Sequence, residues 1–366
     1  MFIGPPRIIT PTFDHRSGER LQGMVMEVMV ASVNYVAELS ANHNNSIERA
    51  HSIIDAVADA GGTSIKLQTY KPETMTLKLD RPEFKVASDN KLWGGRHLFD
   101  LYSEAMTPWE WHGELFDHAR DRGLTPFSSP FDSSAVDFLE SLGCPIYKIA
   151  SFELVDTDLI AYAASTGKPL IISTGMASLV EIARAVEIAE TSGCSDITLL
   201  KATSSYPASP RHSNLSTLKT LRQAFGWPVG LSDHTLGMGV AVAAVTLGAR
   251  VVEKHVTLNR ADGGVDSGFS MEPEEYSQLV TECERAAVAL GKVHFGPSDG
   301  DIPSLAFRRS FRLRRDVKAG EKLSRENAIA IRPSGGLSIH QFSLLEGMTF
   351  RSDQSAGDPV TPEMFR

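Results

Sequence analysis

From residue 33 to about residue 290 the chain alternates short runs rich in Val, Ile and Leu with longer stretches that carry apolar residues at helical spacing. Eight runs read as strands: 33–39, 64–69, 124–128, 146–150, 169–173, 197–202, 229–232 and 251–256. Helix candidates between or after them include 46–60, 108–122, 133–142, 179–191 and 273–290. Strands that alternate with amphipathic helices make a parallel sheet, and eight such units close it. The predicted fold class is therefore α/β, a (β/α)8 barrel of the TIM type, over residues 33–290.

Three stretches break the pattern. Residues 70–107 lie between the second strand and its helix, far longer than an ordinary connection, and Trp93, Phe99, Leu101 and Tyr102 predict an ordered lid there. The stretch 291–309, which opens with "GKVHFGPSDGDIPS", is rich in Gly, Pro, Ser and Asp and reads as a linker to a small β-rich domain over 310–366. That domain holds a weak internal repeat, "KAGEKLSREN" against "SAGDPVTPEM". Residues 1–32 read as an N-terminal extension whose two apolar stretches are able to pair as a hairpin.

Composition changes this picture little. In 366 residues, 42% are hydrophobic and 22% charged, which is ordinary for a globular chain with a packed core. The formal net charge of −9 argues against a nucleic-acid or anionic-membrane surface, so an anionic small molecule requires lysines gathered locally. Three dispersed cysteines, Cys144, Cys194 and Cys283, suggest neither a disulfide framework nor a cysteine metal site, and fit a reducing cytoplasm. No apolar stretch has the length of a membrane span or a signal peptide.

The chemistry gathers where the strands end. Each apolar run gives way to polar residues at its C-terminal side, the catalytic face of such barrels: Glu38, Lys66 and Gln68, Ser129, Lys148 and Ser151, Ser173, Ser204, Ser232, then His234 and His255. Lys66 and Lys148 among hydroxyls suit a phosphate and a carboxylate together. Their alternatives are structural ion pairs or a Schiff-base lysine of a metal-free aldolase. His234 and His255 end the seventh and eighth strands, neighbours in a closed barrel. They are able to share a divalent ion, Mn²⁺ or Mg²⁺ rather than a closed zinc site. Glu38 is placed for proton transfer, with an ion pair to Lys66 as the alternative. Asp266, in the Gly-rich stretch "RADGGVDSGFS", either holds sugar hydroxyls or is solvated with its loop.

Taken together, "AELSANHN", "IKLQT", "YKIAS.E", "ISTGM", "SSYP", "GLSDHT" and "EKH" resemble the N-acetylneuraminate synthase family over nearly the whole chain from residue 33. The tract "LWGGRHLFDLYSEAMTPWEWH" is similar to the pseudaminic acid branch of that family, and residues 310–366 resemble its antifreeze-like (SAF) domain. The resemblance implies condensation of phosphoenolpyruvate (PEP) with an acetamido deoxy sugar, 2,4-diacetamido-2,4,6-trideoxy-L-altrose, to a nonulosonic acid. It implies Glu38 as acid/base, Lys66, Lys148, Ser151, Ser173 and Ser232 on PEP, and His234 and His255 on the metal. It places Gln68, Glu153, Tyr206, Asp266 and Arg332 near the sugar. Arg332 of "IRPSGG" would reach the partner's active site in a homodimer. Ser129 and Ser204 stand where sialic acid synthases commonly carry Thr and Asn, so the hydrogen bonding around the sugar differs. N-acetylneuraminate or legionaminate synthesis, a Schiff-base aldolase and a non-catalytic sugar-binding protein remain the alternatives.

Overall fold

The computed structural model describes residues 33–90 and 92–366; the expected hairpin over residues 1–32 lies outside them. The chain divides into two compact units, Met1–Gly291 and Lys292–Arg366.

In the first unit eight strands close a barrel in chain order. They are β1 (Asn34–Glu38), β2 (Ser64–Thr69), β3 (Thr125–Pro130), β4 (Tyr147–Ile149), β5 (Leu170–Ser173), β6 (Ile197–Ala202), β7 (Val229–Ser232) and β8 (Val251–His255). All neighbours are parallel, and the register sets Glu38 opposite Lys66 on β2 and opposite His255 on β8. Register partners in a parallel sheet share a face, so these three side chains emerge at one level of the barrel. Helices cover the outside of the strands and side chains fill the inside, which is why runs such as "YVAE" and "LIIS" are buried almost throughout.

The helices start where the sequence supplies caps. Ser46, Asp132, Asp156 and Ser178 each accept a backbone N–H of the first turn, opening Ile47–Asp59, Ser133–Ser141, Thr157–Ser165 and Leu179–Thr191. The helix expected from residue 108 begins instead as a 3-10 turn, Trp109–Trp111, before His112–Asp121. Pro108 holds an extended ψ of 134°, which keeps it out of the helix. Gly239–Thr246 is apolar all round, "GVAVAAVT", so it carries no periodic signal.

The long segment after β2 is structured. It carries a helix at Leu98–Ala105, a bridge between Lys85 and His97, and Tyr70 edge-on to Tyr102 at 5.8 Å. Its Trp93 donates from Nε1 to the carbonyl of Val265, 2.9 Å away, in the loop after β8.

The second unit is built on an antiparallel pair, β9 (Ser310–Leu313) and β10 (Ala328–Ile331), and a short helix, Ile339–Leu345, capped by Ser338. Phe311, Leu313, Phe342, Phe350, Val360 and Phe365 form its core, with Phe311 and Phe342 stacked at 3.7 Å. The two repeated stretches meet at their starts, where Val317 pairs with Gln354. Residues 291–309, read as a linker, include a 3-10 helix at Ile302–Phe307.

Candidate active site

At the C-terminal mouth of the barrel two buried lysines face two buried carboxylates. The Lys66 ammonium touches Glu38 and lies 3.8 Å from Glu253; Lys148 lies 4.0 Å from Glu253. All four side chains are almost wholly removed from water. Unpaired, each would carry a desolvation penalty of several kcal/mol, so the balance of two cations and two anions is what keeps them charged in place. Burial lowers the Lys66 pKa to about 8, with Glu253 opposing the shift and Lys148 adding to it. Lys148 is lowered by burial as well, against the pull of Glu253 and Glu153. Burial alone would raise Glu253, but Lys148, Lys66 and a hydrogen bond from Ser232 hold it below the usual carboxylate range.

Hydroxyls surround the lysines. Lys148 donates to Ser173 at 2.7 Å and Lys66 to Ser129 at 3.5 Å, while Ser232 donates to Glu253 at 2.8 Å. Beside them the chain passes close at Gly175. Its N–H donates to Ser151 Oγ at 3.1 Å, and a Cβ there would stand only 2.6 Å from Ser151 Oγ and 2.5 Å from Ser204 Oγ, so the two hydroxyls approach the backbone where a side chain would stand. The Ser204 hydroxyl is buried with no partner among the described residues. A buried hydroxyl without a partner is costly, so Ser204 fits a ligand that brings an acceptor oxygen.

Across the mouth stand His234 and His255, ring centroids 5.4 Å apart. The Thr203 carbonyl lies 2.9 Å from His234 Nδ1. A carbonyl only accepts, so the proton sits on Nδ1 and Nε2 keeps its lone pair. His255 is held well below the usual histidine range by burial, with His234 and the nearby lysines adding to it, and its Nδ1 is buried without a partner among the described residues. Two neutral, convergent imidazoles with free ring nitrogens fit a divalent cation. Among the described residues no third His, Cys, Asp or Glu completes a cluster around them, so the remaining positions would fall to water and substrate oxygens. Tyr206 packs 4.5 Å from His234, and Phe269 lies against His255 at 4.9 Å.

Ser40 ties the two sides together. Its N–H donates to Glu38 at 2.8 Å, its hydroxyl donates to Asp266, and Gln68 donates to that hydroxyl at 3.2 Å. Ser40 takes a φ of 47°, a left-handed conformation uncommon for a serine, which turns the chain back over the end of β1. Burial raises the pKa of Asp266 against the bond from Ser40, and raises that of Glu153 to about 7. Glu153 Oε2 is another buried atom without a partner.

The structure thus gathers Glu38, Lys66, Gln68, Ser129, Lys148, Ser151, Glu153, Ser173, Ser204, Tyr206, Ser232, His234, His255 and Asp266 at one barrel end. Of the alternatives raised for Glu38 and Lys66, the ion pair is present, and both side chains lie at the barrel mouth. Arg332 follows β10 in the second unit, with an exposed side chain. Sequence reasoning gave no role to Glu253, Ser40 or Gly175. Glu253 carried a signal, a carboxylate inside the apolar run "VVEKH"; the turn at Ser40 and the close approach at Gly175 carried none.

The NeuB family model matches residues 53–295, and the SAF domain model matches residues 308–366. A pseudaminic acid synthase of Helicobacter pylori is 39% identical over 92% of this chain and 98% of its own length. An N,N'-diacetyllegionaminic acid synthase of Legionella pneumophila is 36% identical over 88% of this chain and 91% of its own. The crystal structure of an N-acetylneuraminic acid synthetase from Leptospira borgpetersenii, in complex with citrate, superposes with a TM-score of 0.67 at 31% identity, covering 75% of this chain and 91% of that one. With the barrel, the site and these matches in hand, the chain belongs to the NeuB family and carries a C-terminal SAF domain.

Proposed function

We propose that this protein is a pseudaminic acid synthase, condensing PEP with 2,4-diacetamido-2,4,6-trideoxy-L-altrose to give pseudaminate and phosphate. The observation that carries the reading is the division of one barrel mouth into a lysine and serine cradle on one side and a histidine pair on the other, with Glu38 between them. It is supported by the identity to pseudaminic acid synthases, 39% to that of Helicobacter pylori and 38% to one of Campylobacter jejuni.

In this reading Lys66, Lys148 and Ser173, with Ser129, Ser151, Ser204 and Ser232 around them, hold the phosphate and carboxylate of PEP through charge-assisted hydrogen bonds. The aldehyde end of the open-chain sugar lies at the histidines. His234 and His255 would hold a divalent ion, Mn²⁺ or Mg²⁺, which when bound supplies a positive charge to polarise the aldehyde. A new bond forms from PEP C3 to sugar C1 while water adds at C2; the Glu38 carboxylate takes the spare proton of that water and passes it to the former aldehyde oxygen, which becomes the hydroxyl on sugar C1. The C2–O bond to phosphate then breaks as the C2 hydroxyl gives its proton to the departing phosphate, leaving the 2-keto acid and inorganic phosphate. Gln68, Glu153, Tyr206 and Asp266 line the sugar's side, and Arg332 would be supplied by a partner protomer in a homodimer. Among the described residues no helix is long and apolar enough to cross a membrane, and Cys144, Cys194 and Cys283 are free thiols, which accords with a cytoplasmic enzyme.

The legionaminic acid synthase match favours a second reading in which the product is a legionaminic acid. The deciding experiment incubates the protein with PEP, Mn²⁺ and a panel of acetamido sugars, reading phosphate release and product mass. Product from the altro sugar above all others is expected; preference for another sugar replaces the substrate assignment. No phosphate from any pair sinks the synthase reading.

A further inference from the structure

We infer that Trp93, on the long segment after β2, is a specificity-determining residue: its indole closes the far end of the sugar site with an apolar face that accepts a deoxygenated carbon and disfavours a hydroxyl. The inference rests on the synthase reading above. Trp93 reaches the site through two contacts. Its ring stands 6.0 Å from that of Tyr206, which itself lies 4.5 Å from His234. Its Nε1–H donates to the Val265 carbonyl at 2.9 Å, next to Asp266.

The second contact matters for chemistry. An indole has one donor and no acceptor, and here that donor is used by the protein. What remains is a flat hydrocarbon surface. The neighbouring Leu92 adds to it, packing over Gly268, whose Cβ would sit 3.6 Å from Leu92 Cδ2. On the inner side Phe269 lies 5.2 Å from Tyr206. Of the polar groups nearby, Asp266 already accepts from the Ser40 hydroxyl, to which Gln68 also donates.

A sugar whose aldehyde carbon lies at the histidines extends along Tyr206 toward Trp93 with its C5 and C6 atoms. A C6 methyl meets matching surface there. A C6 hydroxyl must give up its water and finds no partner on the indole, a difference that apolar pockets convert into about 10- to 100-fold in kcat/KM.

The test compares the 6-deoxy diacetamido sugar with its 6-hydroxy counterpart of the same configuration, using the full-length protein with PEP and Mn²⁺. The wild type is expected to prefer the 6-deoxy sugar by about 10- to 100-fold in kcat/KM. Trp93→Phe should retain the preference, whereas Trp93→Ala and Trp93→Gln should bring it toward equality, with KM for PEP unchanged. If Trp93→Ala folds poorly by circular dichroism, Trp93→Gln carries the comparison. Equal losses for both sugars, leaving their ratio intact, would show that Trp93 only braces the loop and would overturn the inference. So would a wild type indifferent to the C6 hydroxyl. A wild type that turns over neither sugar removes the substrate assignment on which the inference rests, and the two failures are thereby told apart.

Discussion

The Glu38 carboxylate touches the Lys66 ammonium, and both are almost fully buried. The register of β1 against β2 sets the two residues side by side, so the pair is a product of the barrel and not of flexible side chains meeting by chance. The two groups to which the proposed reaction gives proton transfer and phosphate binding are thus fixed at contact distance.

Replacing Glu38 by Gln keeps shape and one hydrogen-bonding oxygen but removes the carboxylate that takes up a proton and passes it on. Phosphate release should drop about 10²- to 10⁴-fold in kcat. Lys66 keeps Glu253 at 3.8 Å, so the fold should persist, as circular dichroism would verify. Retention of near-normal kcat would assign the proton to another group.

Binding of PEP should weaken on the alkaline side. Only the ammonium form of Lys66 attracts phosphate, and its pKa is lowered by burial to about 8. As pH rises through that value the charge is lost from the free protein, so KM for PEP is expected to climb above about pH 8. A pH profile of kcat/KM for PEP checks it; a KM flat to pH 10 would contradict the assignment of Lys66 to phosphate.

Crowding the two serines offers a structural test that removes no functional group. In Gly175→Ala the new methyl would stand 2.6 and 2.5 Å from the Ser151 and Ser204 oxygens, so both hydroxyls must shift. KM for PEP should rise by at least about tenfold, the loss of one charge-assisted hydrogen bond, while Mn²⁺ binding by calorimetry stays the same. An unchanged KM would place PEP elsewhere.

The histidine pair makes a separate claim. Chelation by EDTA should abolish phosphate release and added Mn²⁺ should restore it, and His255→Ala should lose measurable Mn²⁺ binding in titration calorimetry. Activity that survives EDTA, together with borohydride trapping of pyruvate on a lysine, would favour the aldolase alternative.

Arg332 is tested by complementation. Arg332→Ala alone and Glu38→Gln alone should each be nearly inactive; mixed and re-equilibrated, they should regain part of the wild-type rate, because one site in the mixed dimer then has both groups. No recovery would argue against an arginine supplied across protomers.

Much of this site is legible in the sequence, and for a physical reason. The barrel repeats one signal eight times, and β2, β6 and β7 fall on the residues expected from their apolar runs. Polar residues at strand ends then point to one rim by topology alone. What escaped is what depends on contact. Ser40 matters through a backbone turn at φ 47°, and Gly175 through the close approach of two serine hydroxyls that its missing Cβ permits, neither of which has a composition signature. The Gly239–Thr246 helix escaped because a segment apolar on every side has no period to detect.

The register of β1 against β8, with Glu38 opposite His255, sets the first barrel strand beside the last. More than two hundred residues of chain separate Glu38 from His255, and they meet only along the seam where the cylinder shuts. With the roles proposed for these two residues, no partial catalyst precedes the finished barrel during synthesis. A chain stopped short of His255 lacks both the seam and the site, so for this enzyme topological closure and chemical competence are a single event.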